Sequence, residues 1–300
     1  MTAAIVLSAG LGTRLGALTK ELAKPLMPVG DRPALAHIVE RLVAARIDRV
    51  AINTHHRAAD FASVRDRLGC DVEVLHEPNI LGTAGGVANA AGALGEGDAV
   101  VWNGDIIAPD LDVAAVLAAF GSGLASGAGA IWVVAPLPIG AGTVGLDENG
   151  HVVRLRGETF GEERSGGDFL GIQVMGADLR RALPREGCLV GDVALPLLRR
   201  GGRIATFAFS GAWDDIGSPA SLLSANLRWL TRSGRTSWSA PDAAIGDGVV
   251  LERAIVGAGA RVAGAGAVRE CVVFPGATLT APATRKLVAT QTQMDVDRTP

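Results

Sequence analysis

Ile5-Val6-Leu7-Ser8-Ala9-Gly10-Leu11-Gly12-Thr13-Arg14-Leu15, with Lys24-Pro25-Leu26 shortly after it, is the stretch on which the reading of this chain turns. The apolar run predicts a buried strand, and the Gly-rich segment behind it predicts a loop with bare backbone N–H groups. Glycine lets a backbone approach closely and turn at positive φ, so such a loop can wrap a phosphate. Arg14 and Lys24 add two positive charges beside it. Two common phosphate loops are excluded. A dinucleotide fingerprint from Gly10 needs glycine where Leu15 stands, and a Walker A loop from Gly12 needs it where Ala17 stands.

Outward from this stretch, residues 3–120 alternate strand-like and helix-like blocks. Strands are expected at Ala3–Leu7, Arg49–Asn53, Val72–His76 and Ala99–Trp102. Helices are expected at Pro33–Ala45, Ala58–Leu68, Thr83–Leu94 and Val113–Phe120. This rhythm predicts an α/β fold, a Rossmann-like doubly wound, mostly parallel sheet whose ligands sit at the carboxyl ends of its strands. Further strands are expected at Ile131–Val134, Phe169–Val174 and Ile204–Phe209, with a hairpin over Val144–Val153 turning at Glu148-Asn149-Gly150. Helices are expected at Gly191–Leu198 and Pro219–Leu230. A polar linker over Arg232–Pro241 then leads into a tail where Val250, Val256, Val262, Val268 and Phe274 recur every six residues. That period predicts a short left-handed parallel β-helix of hexapeptides over residues 242–285, about two coils packed on the catalytic domain or on another copy of the chain. The expected domains are therefore 1–231 and 242–285.

Composition narrows the function. A net charge of −3 gives no reason to expect nucleic acid or an anionic membrane as partner, and 4% aromatic residues do not make a base-stacking platform. No apolar run is long enough for a membrane span. Cys70, Cys188 and Cys271 are far apart, which indicates neither a zinc site nor a disulfide framework and suits a reduced, cytoplasmic setting.

Three more motifs fall at strand ends. Glu77-Pro78-Asn79-Ile80-Leu81-Gly82-Thr83-Ala84-Gly85-Gly86 opens a helix that Thr83 can cap, as an ordinary turn or as a ligand loop. Asn103-Gly104-Asp105 puts a carboxylate at the end of a buried strand, either a surface turn or a holder of Mg²⁺. Trp213-Asp214-Asp215-Ile216-Gly217-Ser218-Pro219 reads as a capping turn before a helix, with Ser218 as the cap.

The string G-x-G-T-R-L-x(8)-K-P-L resembles the signature of the sugar-1-phosphate nucleotidyltransferases, or NDP-sugar pyrophosphorylases. Ala17 and Ala23 stand where prolines are frequent, which alters loop stiffness and not charge. The later motifs resemble the same family's base-contacting loop, its metal-binding Gly-Asp and its W-x-D-x-G-T-P, with Ser218 in the Thr place and Asp214 at the variable position. The resemblance implies the nucleotide-diphospho-sugar transferase fold and a Mg²⁺-dependent reaction between an NTP and a sugar 1-phosphate. It implies Arg14, Lys24, Asp105 and Asp215 as catalytic residues, the two aspartates as metal ligands. Ala9, Gly10, Gly12, Thr13, Glu77, Gly82, Thr83 and Gly104 would join Arg14 and Lys24 around the nucleotide. Asn103, Arg156, Asp168 and Gly171 would face the sugar phosphate. Where many relatives carry a Glu-Lys pair, this chain has Leu155-Arg156-Gly157-Glu158, so Arg154 and Arg156 are both candidates for the missing lysine's role. His55 and His56 are expected to be structural. Asn53-Thr54-His55-His56, with L-G-T-A-G-G, resembles mannose- or heptose-1-phosphate guanylyltransferases and N-acetylmuramate 1-phosphate uridylyltransferases, so GTP or UTP is the expected nucleotide. An acyltransferase working on the tail would need a histidine there, and all five precede it. A non-catalytic sensor on the same fold would carry a damaged phosphate loop or metal pair, and neither is damaged.

Overall fold

The first four expected strands form, as Ala3–Leu7, Arg49–Thr54, Asp71–His76 and Ala99–Asn103. They pair in parallel in the spatial order third, second, first, fourth. In this computed structural model, which describes residues 2–65, 68–125 and 127–297, the pattern follows from burial. Ala4, Ile5, Val6, Val100, Val101 and Trp102 are all but removed from solvent, as expected for strands covered on both faces. Among the described residues the sheet has ten strands, and its second half departs from the expectation of a mostly parallel sheet. Ser165–Met175 runs antiparallel to Ala99–Asn103, Ala128–Leu137 and Val144–Leu146, while Arg203–Ala208 on Ala128–Leu137 restores parallel pairing. The chain there turns back in a hairpin through Glu148-Asn149-Gly150, with Gly150 at φ +74°, so no crossover helix sets a parallel neighbour.

Helices fall close to their expected places. Ala34–Ala44 and Val113–Ala125 form. Ala58–Arg65 forms, and residues 66 and 67 of the expected helix lie outside the described residues. The expected Thr83–Leu94 helix is two pieces, Gly82–Asn89 and Ala91–Leu94, and the expected Gly191–Leu198 helix is a wide π turn, Leu189–Ala194, followed by Leu195–Arg199.

The chain divides into two compact units, Met1–Gly10 with Ile38–Trp213, and Leu11–His37 with Asp214–Pro300. This differs from a division at residue 231, because the glycine-loop segment and the helix Pro219–Arg232 group with the tail. Buried Asn226 explains the grouping. Its Oδ1 accepts the Gly30 N–H at 2.9 Å and its Nδ2 donates to the Pro28 carbonyl at 3.0 Å. A side chain on Gly30 would lie 2.1 Å from the Trp229 ring, and at φ +68° only glycine suits the position. Ser218 caps the helix as expected, accepting the Ser221 N–H in a reciprocal box. Asp214, expected as a variable neighbour of Asp215, is instead a buried anchor. It is ion-paired with Arg228 and, at 3.5 Å, with Arg232 of that helix.

In the tail, Trp238 pairs in parallel with Ile255, Ile255 with Val272, and Val272 with Leu287. Arg261–Arg269 pairs in parallel with Gly248–Glu252 on one side and Thr278–Thr284 on the other. The stacking thus begins at Trp238, inside the expected linker, and Gln293–Asp295 covers its last edge in antiparallel register. Val256, Val262, Val268 and Phe274 are buried as the period requires, but Val250 is 58% exposed, because the half-buried Leu251 takes the inward place one residue later. Arg253, Glu270 and Arg285 all adopt left-handed φ values near 50°, and Glu270 sits between the two arginines at 3.2 and 2.7 Å.

Glu21, on the short helix Leu18–Glu21, accepts hydrogen bonds from the Thr290 hydroxyl at 2.6 Å and the Gln291 N–H at 2.9 Å. Desolvation opposes its ionisation, but donors from Thr290, Thr292 and Gln291 outweigh that and hold the carboxyl below the usual range. A depressed carboxylate stabilises the fold above its unfolded pKa, and that contribution is lost as pH falls through the folded value. Glu21→Gln should lower Tm by a few degrees at pH 7, with the gap from the parent closing below about pH 4 when thermal unfolding is followed across pH.

Candidate active site

In the first unit, three consecutive parallel strands end in a buried polar chain. Asn53 Oδ1 accepts the Ser8 N–H at 2.7 Å, and Asn53 Nδ2 donates to Glu77 Oε1 at 2.8 Å. Glu77 Oε2 accepts the Leu81 N–H at 3.2 Å. Glu77 has no solvent exposure, so both its oxygens are used within the protein and it holds the loop rather than facing outward. His55 Nδ1 lies 2.8 Å from the Glu77 carbonyl, in keeping with a structural histidine.

The fourth strand ends beside the first, where the Gly104 N–H donates to the Leu7 carbonyl at 2.9 Å. Buried Trp102 donates its indole N–H to the Ile106 carbonyl at 2.8 Å and so braces the turn that carries half-buried Asp105. Asn103 packs on Gly171, where a methyl would come within 2.3 Å of Asn103 Nδ2, and φ +71° requires glycine. Asp168 accepts the Thr143 N–H at 3.0 Å, while Thr143 Oγ1 accepts the Phe169 N–H at 2.9 Å.

The loop at Gly82 is built on packing. Its helix begins at Gly82 without a side-chain cap, and Thr83 instead accepts the Leu189 N–H at 2.8 Å. A methyl on Gly82 would lie 2.3 Å from the Gly187 carbonyl, and one on Gly85 2.4 Å from the Arg185 carbonyl. The structure separates the two candidate arginines. Arg154 is engaged by Glu163 at 2.8 Å and by the carbonyls of Ala141, Gly142 and Val144. Exposed Arg156 instead reaches the segment flanking this loop, 3.6 Å from Cys188 Sγ. Burial raises the Cys188 thiol's pKa, but the Gly191 and Val190 N–H groups, the Thr83 hydroxyl and the Arg156 charge outweigh it and the net shift is downward.

In the second unit the glycine loop brings three of the predicted catalytic side chains together. Gly12, at φ +63°, precedes the tight turn Thr13–Leu15, and a methyl on it would lie 2.9 Å from Thr19 and 3.2 Å from the Lys24 stem. Lys24 Nζ, only 12% exposed, stands 4.0 Å from Asp215 Oδ1, and Arg14 Nη2 stands 3.9 Å from Asp215 Oδ2. The Gly217 N–H donates to Asp215 Oδ1 at 2.7 Å, and Gly217 lacks a side chain where Arg14 passes. Thr13 and Arg14 are exposed. Gly10 and Ala9 lie at the end of the first unit's leading strand; Ala9 is buried, Gly10 is exposed, and nothing would meet a methyl there. The G-x-G pair therefore divides, Gly12 required by the fold and Gly10 not.

Among the described residues, no three His, Cys, Asp or Glu side chains gather as a metal cage. Mg²⁺ does not need one, since it is commonly held by one or two carboxylates and substrate phosphates. The hard oxygens of Asp105 and Asp215 are donors of the right kind, and Asp215 meets its two cations only beyond hydrogen-bond distance.

The family model described as nucleotidyl transferase matches residues 3–232. The chain belongs to the nucleotidyl transferase family. It is 42% identical over 107 residues to a mannose-1-phosphate guanylyltransferase of Mycobacterium tuberculosis, covering 35% of this chain and 30% of that one. A mannose-1-phosphate guanyltransferase of Aspergillus oryzae is 28% identical over 243 residues, 76% of this chain and 64% of the relative. The chain thus spans less than two thirds of either relative. An N-acetylmuramate alpha-1-phosphate uridylyltransferase of Caulobacter vibrioides is 28% identical over 75% of this chain and 96% of its own length. Among solved structures, a putative glucose-1-phosphate thymidylyltransferase of Bacillus anthracis matches 76% of this chain and 95% of its own with TM-score 0.64 at 24% identity, a likeness of fold.

The glycines at positions 10 and 82 give a steric prediction. Gly82→Ala meets backbone at φ +75° and should cost about 2 kcal/mol or more, whereas Gly10→Ala meets open space and should leave Tm within about 1 °C in thermal unfolding.

Proposed function

We propose that the chain is a Mg²⁺-dependent sugar-1-phosphate nucleotidyltransferase, most closely a mannose-1-phosphate or heptose-1-phosphate guanylyltransferase. The observation that carries it is the cluster of Arg14, Lys24 and Asp215 beside the glycine loop, two cations each about 4 Å from one carboxylate. An oxygen of the sugar 1-phosphate attacks the α-phosphorus of the NTP, and the bond from that phosphorus to the β-phosphate bridge breaks, releasing pyrophosphate. The nucleophile is already an anion, so no general base is needed. The barrier is repulsion between two anions, and neutralising and aligning them is the protein's task. In this reading Arg14, Lys24 and the loop amides of Gly10–Thr13 hold the departing pyrophosphate. The Lys24 side chain is almost buried, where water screens an interaction between charges least. Asp105 and Asp215 would hold Mg²⁺, which when bound supplies charge neutralisation at the phosphates. Arg156, exposed and free of the contacts that lock Arg154, is the better candidate for the sugar phosphate. The parallel-stacked tail with its six-residue period is read as a left-handed β-helix, a surface through which copies could associate.

A second reading, the N-acetylmuramate 1-phosphate uridylyltransferase, is favoured by one observation: this chain covers 96% of that relative. Pyrophosphate release with GTP, UTP, dTTP, ATP and CTP, each with mannose 1-phosphate, heptose 1-phosphate or N-acetylmuramate 1-phosphate and Mg²⁺, separates the two. The expected result is turnover with GTP and mannose 1-phosphate. No release with any pair overturns both. Lys24→Ala and Asp105→Ala should each lower kcat by about 100-fold or more while thermal unfolding stays near the parent's; an Asp105→Ala enzyme with parental kcat would remove that residue from the metal assignment.

A further inference from the structure

Asn53 contacts no substrate in the reading above, yet its side-chain amide joins the two first-unit loops that the family resemblance gives to the nucleotide. We propose that Asn53, acting through Glu77, is a positioning residue that sets the Leu81–Gly86 loop against the start of the glycine loop at Ser8; the proposal rests on the nucleotidyltransferase reading.

Hydrogen-bond polarity fixes this arrangement. A carboxylate without solvent must find donors inside the protein. Glu77 finds two, Asn53 Nδ2 at 2.8 Å and the Leu81 N–H at 3.2 Å. The Ser8 N–H can only donate, so it takes the oxygen end of Asn53, at 2.7 Å. The orientation of that amide is thereby fixed, and it is the one orientation that serves both neighbours. Gly86 closes the arrangement, because a methyl there would stand 2.5 Å from Asn53 Nδ2. One side chain on the second strand thus fixes the loop after the first strand and, through one carboxylate, the loop after the third.

Substitution can reverse the polarity without changing shape. Asn53→Asp still accepts from Ser8 but turns a second carboxylate oxygen on Glu77. Adding Glu77→Gln restores every partner: the introduced amide donates its N–H to the introduced carboxylate, and its oxygen still accepts the Leu81 N–H. We expect N53D to raise KM for the nucleotide about tenfold or more while KM for the sugar 1-phosphate stays within about twofold. The double variant N53D/E77Q should return the nucleotide KM to within about threefold of the parent, a coupling that a double-mutant cycle reads directly. Amide hydrogen exchange at Ser8 and Leu81, measured without substrate, should quicken in N53D and slow again in the double variant. A nucleotide KM and amide protection unchanged in N53D overturn the proposal, as does a double variant no better than N53D. If N53D does not fold, the double variant decides alone: parental protection at both amides supports the proposal, and its loss overturns it. A parent without nucleotidyltransferase activity fails the functional reading, and the exchange measurement still decides whether Asn53 sets the two loops.

Discussion

Parallel pairing at the centre of the sheet is the constraint from which the rest follows. Strands covered on both faces leave no room for polar side chains along their length, and the first strand is apolar throughout and the fourth apolar up to its last residue. Their polar residues collect at the carboxyl ends, where the backbone leaves the ladder and its N–H and C=O groups need new partners. Ser8, Asn53, Glu77 and Asn103 each stand at such an end. The order third, second, first, fourth puts the ends of the first and fourth strands side by side, so that Gly104 can extend the ladder onto Leu7.

Buried polarity in this molecule holds loops and helices, while the exposed pair at the glycine loop is held only loosely. Glu77, Asn53, Asn226 and Asp214 are all buried, and each has partners on other elements of its own unit. Arg14 and Asp215 are well exposed and loosely paired. A loose pair near 4 Å reorganises at little cost when a more highly charged anion arrives, whereas a tight, dry pair would resist it. That difference is a physical reason to look for phosphate binding at the glycine loop and not at the buried carboxylates.

Much of this was legible in the sequence. The β-α-β rhythm, the capping serine at 218 and the six-residue period are local patterns, and local patterns survive folding. The convergence of Arg14, Lys24 and Asp215 came from motif resemblance, since nothing in spacing alone joins residue 24 to residue 215. What the sequence hid were roles set by long-range partners. Asp214 and Asp215 look alike as letters, but Arg228 and Arg232 on the following helix claim only the first. Glu77 carried no sign that Asn53 would claim it. Thr83 stood in a capping position and was taken instead by the Leu189 N–H, over a hundred residues away in the chain. Val250 matched the tail's period but missed its phase by one residue.

Fate of the phosphates is the most direct test of the whole account. GTP labelled at its α- or its γ-phosphate is incubated with mannose 1-phosphate and Mg²⁺, and the products are separated. The account predicts that the α label moves into a sugar nucleotide and the γ label into pyrophosphate. A γ label recovered as orthophosphate or on the sugar, with the α label left in GDP, would contradict it.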